Sequence, residues 1–132
     1  MSKISRESAT DVTDYGPAVD RGADFDGYNV IFTSIREDWD LTQLLQGMPD
    51  DSCPCPHWGY LTAGRMTVRY SDREEVIEPG DAFYMPPGHV PAAVAGTEFV
   101  MFSPQDELAA AGAAMRELMM QKATGSPVQV SV

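Results

Sequence analysis

The sequence predicts an all-β domain, a barrel or sandwich, and three observations predict it. Short apolar or alternating runs recur between residues 28 and 102, each closed by Gly, Pro, Asp or Ser turns. The 132 residues suit one domain, and 43 % of them are hydrophobic, enough to bury a core. The apolar period changes only near residue 103, where it becomes helical. No internal repeat and no second domain is visible.

Charge narrows the function. Nine Lys and Arg against twenty Asp and Glu leave a formal charge of −11, with acids in both halves of the chain. Such a chain repels phosphate, which argues against nucleic acid and against an anionic membrane surface as partners. No apolar run approaches the roughly 18–20 residues of a membrane span. The N-terminal MSKISRESAT lacks the apolar stretch of a secretory signal, so a soluble cytoplasmic domain is expected.

Residues 1–20 are polar and aperiodic and read as a flexible arm. Asp26-Gly27 is a turn signal, and YNVIFTSI (28–35) is β-branched and aromatic, hence a strand. Asp38 or Asp40 can cap a short helix, DLTQLLQG, with Leu41, Leu44 and Leu45 on one side and Gly47 as its stop. MPDDSCPCPH carries too many prolines for a central strand and should run extended into Trp58–Thr62. MTVRY (66–70), EVIE (75–78), AFYM (82–85) and a run over about Thr97–Phe102 supply further strands, separated by Gly, Pro and Asp turns. Ser103 fits an N-cap, Pro104 the first helical position, and Asp106 the capping-box acid. Leu108, Ala111, Met115, Leu118 and Met119 then share a helical face, and Gly125 ends the run. PVQVSV (127–132) is a tail or a small strand. The expected organisation is an arm over 1–20, a barrel over 21–104, and a helix with its tail over 105–132.

Both histidines and both cysteines fall in two short clusters, CPCPHWG and MPPGHVP. A disulfide between Cys53 and Cys55, across Pro54 alone, would close a small strained ring and staple nothing distant. The thiols therefore read as metal ligands or a reactive pair. In an extended chain Cys53, Cys55 and His57 point to one side, and a bend at Pro54 or Pro56 would let all three converge on one ion. Mixed thiolate and imidazole donors suit zinc. Weaker candidates are the aromatic residues Trp58, Tyr60, Phe83 and Tyr84, as core or pocket mouth, and Glu98 as a buried base. Arg65, Thr67 and Arg69 share a strand face that reads as solvated; turned inward, its arginines could hold a carboxylate. Glu74-Glu75 and Asp50-Asp51 are adjacent, so strand alternation sends each pair to opposite faces and neither is a catalytic dyad.

Residues about 53–102 resemble a small single-domain cupin, a β-barrel family with motifs G-x5-H-x-H-x3,4-E-x6-G and G-x5-P-x-G-x2-H-x3-N. Gly80, Pro86 and Gly88 match the start of the second motif. His57 and Gly64 match the end of the first, with His57 at the glutamate position. Counting back with the shorter spacing puts Cys53 and Asp51 at the two histidine positions. Pro91 and Ala95 replace the second motif's histidine and asparagine, and His89 stands two residues earlier, on the same strand parity. The resemblance implies a double-stranded β-helix (jelly-roll) barrel, with the short helix before it and the amphipathic helix after it. It also implies a metal site with a changed ligand set, drawn from Cys53, Cys55, His57 and His89 with Asp51 in reserve, zinc as the metal, and a homodimer. Three functions stay open: a metalloenzyme acting on a small organic substrate, an anionic one included; a non-catalytic metal- or ligand-binding module; and a barrel whose pocket is only packing.

Overall fold

The computed structural model describes residues 2–124; the predicted helix stop at Gly125 and the 127–132 segment lie outside them. The strands are β1 (Asp11–Asp14), β2 (Ala18–Phe25), β3 (Tyr28–Ile35), β4 (Trp39–Asp40) and β5 (His57–Ala63). They continue with β6 (Met66–Arg69), β7 (Glu74–Ile77), β8 (Ala82–Met85), β9 (Val90–Ala93) and β10 (Glu98–Pro104), and the helix α1 (Gln105–Thr124) follows. Two antiparallel sheets result: a six-stranded one in the order β1-β2-β3-β10-β5-β8, and a four-stranded one in the order β4-β9-β6-β7. The β2–β3 hairpin turns at Asp26-Gly27, both with positive φ (45° and 87°) as a two-residue hairpin turn requires.

The core follows from strand alternation. Leu61, Phe83, Met85 and Phe99 of the larger sheet pack with Met66, Val68 and Ile77 of the smaller one. A second cluster of Leu45, Met48, Cys53, Cys55 and Ala111 lies where α1 crosses the 41–48 segment, with Leu108, Met115 and Leu118 packed against it. The helix thus covers the region that holds the cysteines.

Four expectations are corrected. The 1–20 segment is not a loose arm throughout: β1 and the start of β2 lie in it, paired from Asp11↔Gly22 to Asp14↔Val19. All four residues of β1 are exposed, so no apolar alternation announces it. DLTQLLQG is not a helix but β4 followed by turns. The Asp40 carboxylate accepts from the Thr42 N–H (2.9 Å) at its start, but only Leu45 N–H bonds four residues back, to Leu41 O; Gln46 and Met48 bond three back, so the segment stays a run of turns. Ser103 is not an N-cap, because β10 continues through Pro104, which pairs with Tyr28, and the helix starts at Gln105. Met119 is half exposed rather than on the packed face.

Candidate metal centre

His57 opens β5 immediately after Pro56, opposite Met85 of β8. Its Nδ1 lies 2.6 Å from the Ser103 hydroxyl of β10, and its Nε2 lies 3.8 Å from the Cys53 thiol. Cys53 belongs to no long strand; it is tied to His89 by a two-bond bridge, Cys53 N–H to His89 O (3.0 Å) and Gly88 N–H to Cys53 O (2.9 Å). Gly88 has a φ of +98°, a conformation glycine adopts without strain, and it turns the PPGH segment so that this bridge can form. The His89 Nδ1–H donates to the Pro86 carbonyl (2.8 Å), which leaves its Nε2 as a lone pair. The two imidazoles meet edge to face, with centroids 4.9 Å apart.

Cys53, His57 and His89 each offer a donor atom within 4.8 Å of the others, and all three residues are buried. In a tetrahedral zinc site, imidazole nitrogen and thiolate sulfur stand about 3.6 Å apart, given the usual bond lengths. The Cys53–His57 separation is already close to that. Both histidines also have a hydrogen-bond partner on Nδ1, the arrangement that orients a metal-binding ring. The donor set therefore fits a divalent ion of borderline softness.

Burial keeps all three groups neutral. It pushes the His57 imidazole down from 6.5 to about 3, with His89 adding to the effect. Burial also lowers His89, against the opposing bond to Pro86, and raises the Cys53 thiol. The imidazoles thus stand as free bases at neutral pH, and only the thiol has a proton to lose to a metal.

The other sequence candidates go elsewhere. Cys55 is buried but outside the group, its thiol 3.5 Å from the Pro56 carbonyl and pushed by burial up to about 12. The backbone between the cysteines is not a regular strand, so period-two alternation does not hold across it. Asp51 is exposed and accepts from the Gly47 N–H (2.9 Å). Arg65 is exposed, and Arg69 pairs with Asp40 at 3.4 Å on the outer face of β6, the solvated reading of that face. Glu98 pairs with Arg6 (3.2 Å) and is no buried base. Trp58, Tyr60 and Tyr84 are exposed, Trp58 stacking on Tyr84, while Phe83 is core.

The three donors line a cavity of about 220 Å³ between the sheets and α1. Its walls are mostly apolar, with Ile31, Met85, Phe99, Met101 and Leu108 among them. Sequence reasoning missed Asp20, Thr33, Tyr15 and Trp39, which also line this cavity, and Ser103 behind His57. Asp20 falls in the segment read as an arm, and Ser103 carries an N-cap signature, so neither position advertised its role.

Residues 55–121, just over half of the chain, match the family model of the AraC-like ligand-binding domain. His57, His89 and most of α1 fall inside that span, and Cys53 stands just before it. No curated protein sequence matches the chain. Among solved structures, an RmlC-like cupin from Shewanella frigidimarina superposes with a TM-score of 0.55 at 16 % identity, covering 79 % of this chain and 91 % of its own. The polyketide cyclase RemF from Streptomyces resistomycificus gives 0.58 at 16 % identity over 79 % of each chain. A protein of unknown function from Rhizobium leguminosarum gives 0.58 at 17 % identity, over 78 % of this chain and 95 % of its own. At such identities these likenesses speak for the cupin fold alone. Fold and family agree, and the chain belongs to the AraC-like ligand-binding domain family of cupins.

Proposed function

We propose that the protein binds a small organic molecule in this cavity, at a divalent metal held by Cys53, His57 and His89. The observation that carries the reading is the convergence of three buried donors within 4.8 Å on the wall of an apolar cavity. Zinc is the metal that one thiolate and two imidazoles suit best. With Cys53, His57 and His89 as its protein ligands, a four-coordinate ion would keep one position for a ligand oxygen or nitrogen and would act on it as a Lewis acid. That geometry serves a metalloenzyme or a ligand-binding module. A closed structural centre would require Cys55 as a fourth ligand, and its thiol points to the Pro56 carbonyl instead.

Metal analysis of protein purified without an affinity tag tests the reading. About one equivalent of zinc is expected; less than about a tenth of an equivalent overturns it. Cys53→Ala and His57→Ala should each lower metal content, while Cys55→Ala should leave it unchanged. We extend the reading to a homodimer, the state the resemblance implies. Sedimentation equilibrium should then give twice the 14.4 kDa of one chain.

A further inference from the structure

Away from the three metal-ligand candidates, the cavity holds one more ionisable group with no evident structural employment. Asp20 of β2 lines it beside Thr33 of β3, its register partner, whose hydroxyl donates to the Asp20 carboxylate at 2.6 Å. Among the described residues no Lys or Arg lines the cavity, and none forms an ion pair with Asp20. Arg116 of α1 lies near the Tyr15 phenol, where it opposes part of the effect of Asp20 on that group, but it is not paired with the carboxylate. The remaining ionisable lining groups are Tyr15, Cys53, His57 and His89, all neutral at pH 7 when no metal is bound. Burial raises the Asp20 carboxyl, and only the Thr33 bond offsets it. A carboxylate offers about four acceptor positions, and one hydroxyl leaves most of them open. Tyr15 and Trp39, with ring centroids 5.7 Å apart, line the same cavity and present aromatic surface of the kind that attracts a cation.

We infer that the cavity takes a small apolar amine whose ammonium group is received by Asp20 and Thr33 beside the Tyr15–Trp39 pair. A cation there supplies the counter-charge that the half-buried carboxylate lacks, and the apolar walls accept the body of the molecule. The overall charge of −11 draws such ligands in and repels organic anions. The anionic substrate considered from the sequence is therefore the wrong charge class for this part of the cavity. The inference rests on the cavity being a ligand site, but not on the metal.

Titration calorimetry with 2-phenylethylammonium, 2-phenylethanol and phenylacetate tests it, on protein stripped with a chelator and on zinc-loaded protein. The ammonium probe should bind at least about tenfold more tightly than the other two, in stripped protein as well. Asp20→Asn, which keeps the side chain's shape, should remove that preference. Equal or weaker binding of the ammonium probe overturns the inference while leaving the cavity a ligand site. A preference that survives Asp20→Asn overturns it in the same way. If none of the three binds at millimolar concentration, the inference and the ligand-site reading fall together. The wild-type comparison decides alone if the variant does not fold.

Discussion

Ser103 is the residue on which the candidate centre's geometry turns. Its hydroxyl is fully buried and lies 2.6 Å from His57 Nδ1, so it fixes the ring that presents Nε2 toward Cys53. Removing such a partner from a metal-binding histidine costs roughly 10- to 100-fold in metal affinity. Ser103→Ala should therefore weaken zinc binding by about that factor in chelator competition while the chain stays folded; an unchanged affinity would show that the hydroxyl does not orient the ring. Protonation gives a second outcome. Because both imidazoles are already neutral and the Cys53 thiol is raised by burial, zinc binding near pH 7 should release close to one proton, all of it from the thiol. Calorimetry in buffers of different ionisation enthalpy reads that number, and Cys53→Ala should bring it near zero. The ligand candidates themselves were legible in the sequence, since two short motifs contain every Cys and His. Their exact membership was not: Cys55 looked equivalent to Cys53 because both sit two apart in an extended run. The bridge to His89, which singles out Cys53, depends on a turn at Gly88 that spacing does not reveal.

At the level of elements, strands bounded by Gly, Pro and Asp turns were the readable part. β3 and β8 coincide with YNVIFTSI and AFYM, because turn chemistry and apolar alternation point to the same boundaries there. Elements whose stability comes from partners were not readable. β1 is exposed throughout and exists by pairing with β2, and the 41–48 segment satisfies its leucines against α1 without forming a helix. Gly59 in β5 has a role of that second kind. A Cβ placed on it would overlap the Phe83 ring edge from β8 and the Val100 carbonyl from β10, so the three strands close only over a glycine. Gly59→Ala should cost about 2–3 kcal/mol through forced shifts in a packed core. That corresponds to a lowering of Tm by roughly 10 °C for a domain of this size. A Tm within about 2 °C of wild type would mean that the β5–β8 packing relaxes freely.

Over the whole molecule, the buried ionisable groups fix how stability must vary with pH when no metal is bound. His57 titrates at about 3 in the fold and at 6.5 when exposed, so between those values the unfolded chain binds the extra proton. Stability is then complete above pH 6.5 and is lost as pH falls toward 3, and His89 acts in the same direction. Asp20, raised above 3.8, has the opposite sign and offsets part of that loss, its contribution growing as the carboxyl takes up its proton. The thiols shape the alkaline side. Cys55 is raised from 9.0 to about 12 and Cys53 is raised as well, so stability declines as pH climbs above 9.0. Net charge works against the acid loss, since repulsion among the excess acids fades as pH approaches the pI of about 4.3. A fall on the acid side therefore comes mainly from the buried imidazoles, joined by the exposed Asp14 and Asp40, whose carboxyls are held low by their hydrogen bonds to Gly16 and Thr42. For His57, over the full drop from 6.5 to about 3, it amounts to roughly 5 kcal/mol, a large share of the 5–15 kcal/mol typical of a domain. The urea midpoint of chelator-stripped protein should be level between pH 6.5 and 9.0 and drop steeply below. His57→Gln, which has no proton to take up, should flatten the acid limb even if it lowers the plateau. A wild-type midpoint that stays level down to pH 4.3, or a variant whose acid limb runs parallel to wild type, would show that His57 is not held neutral by the barrel.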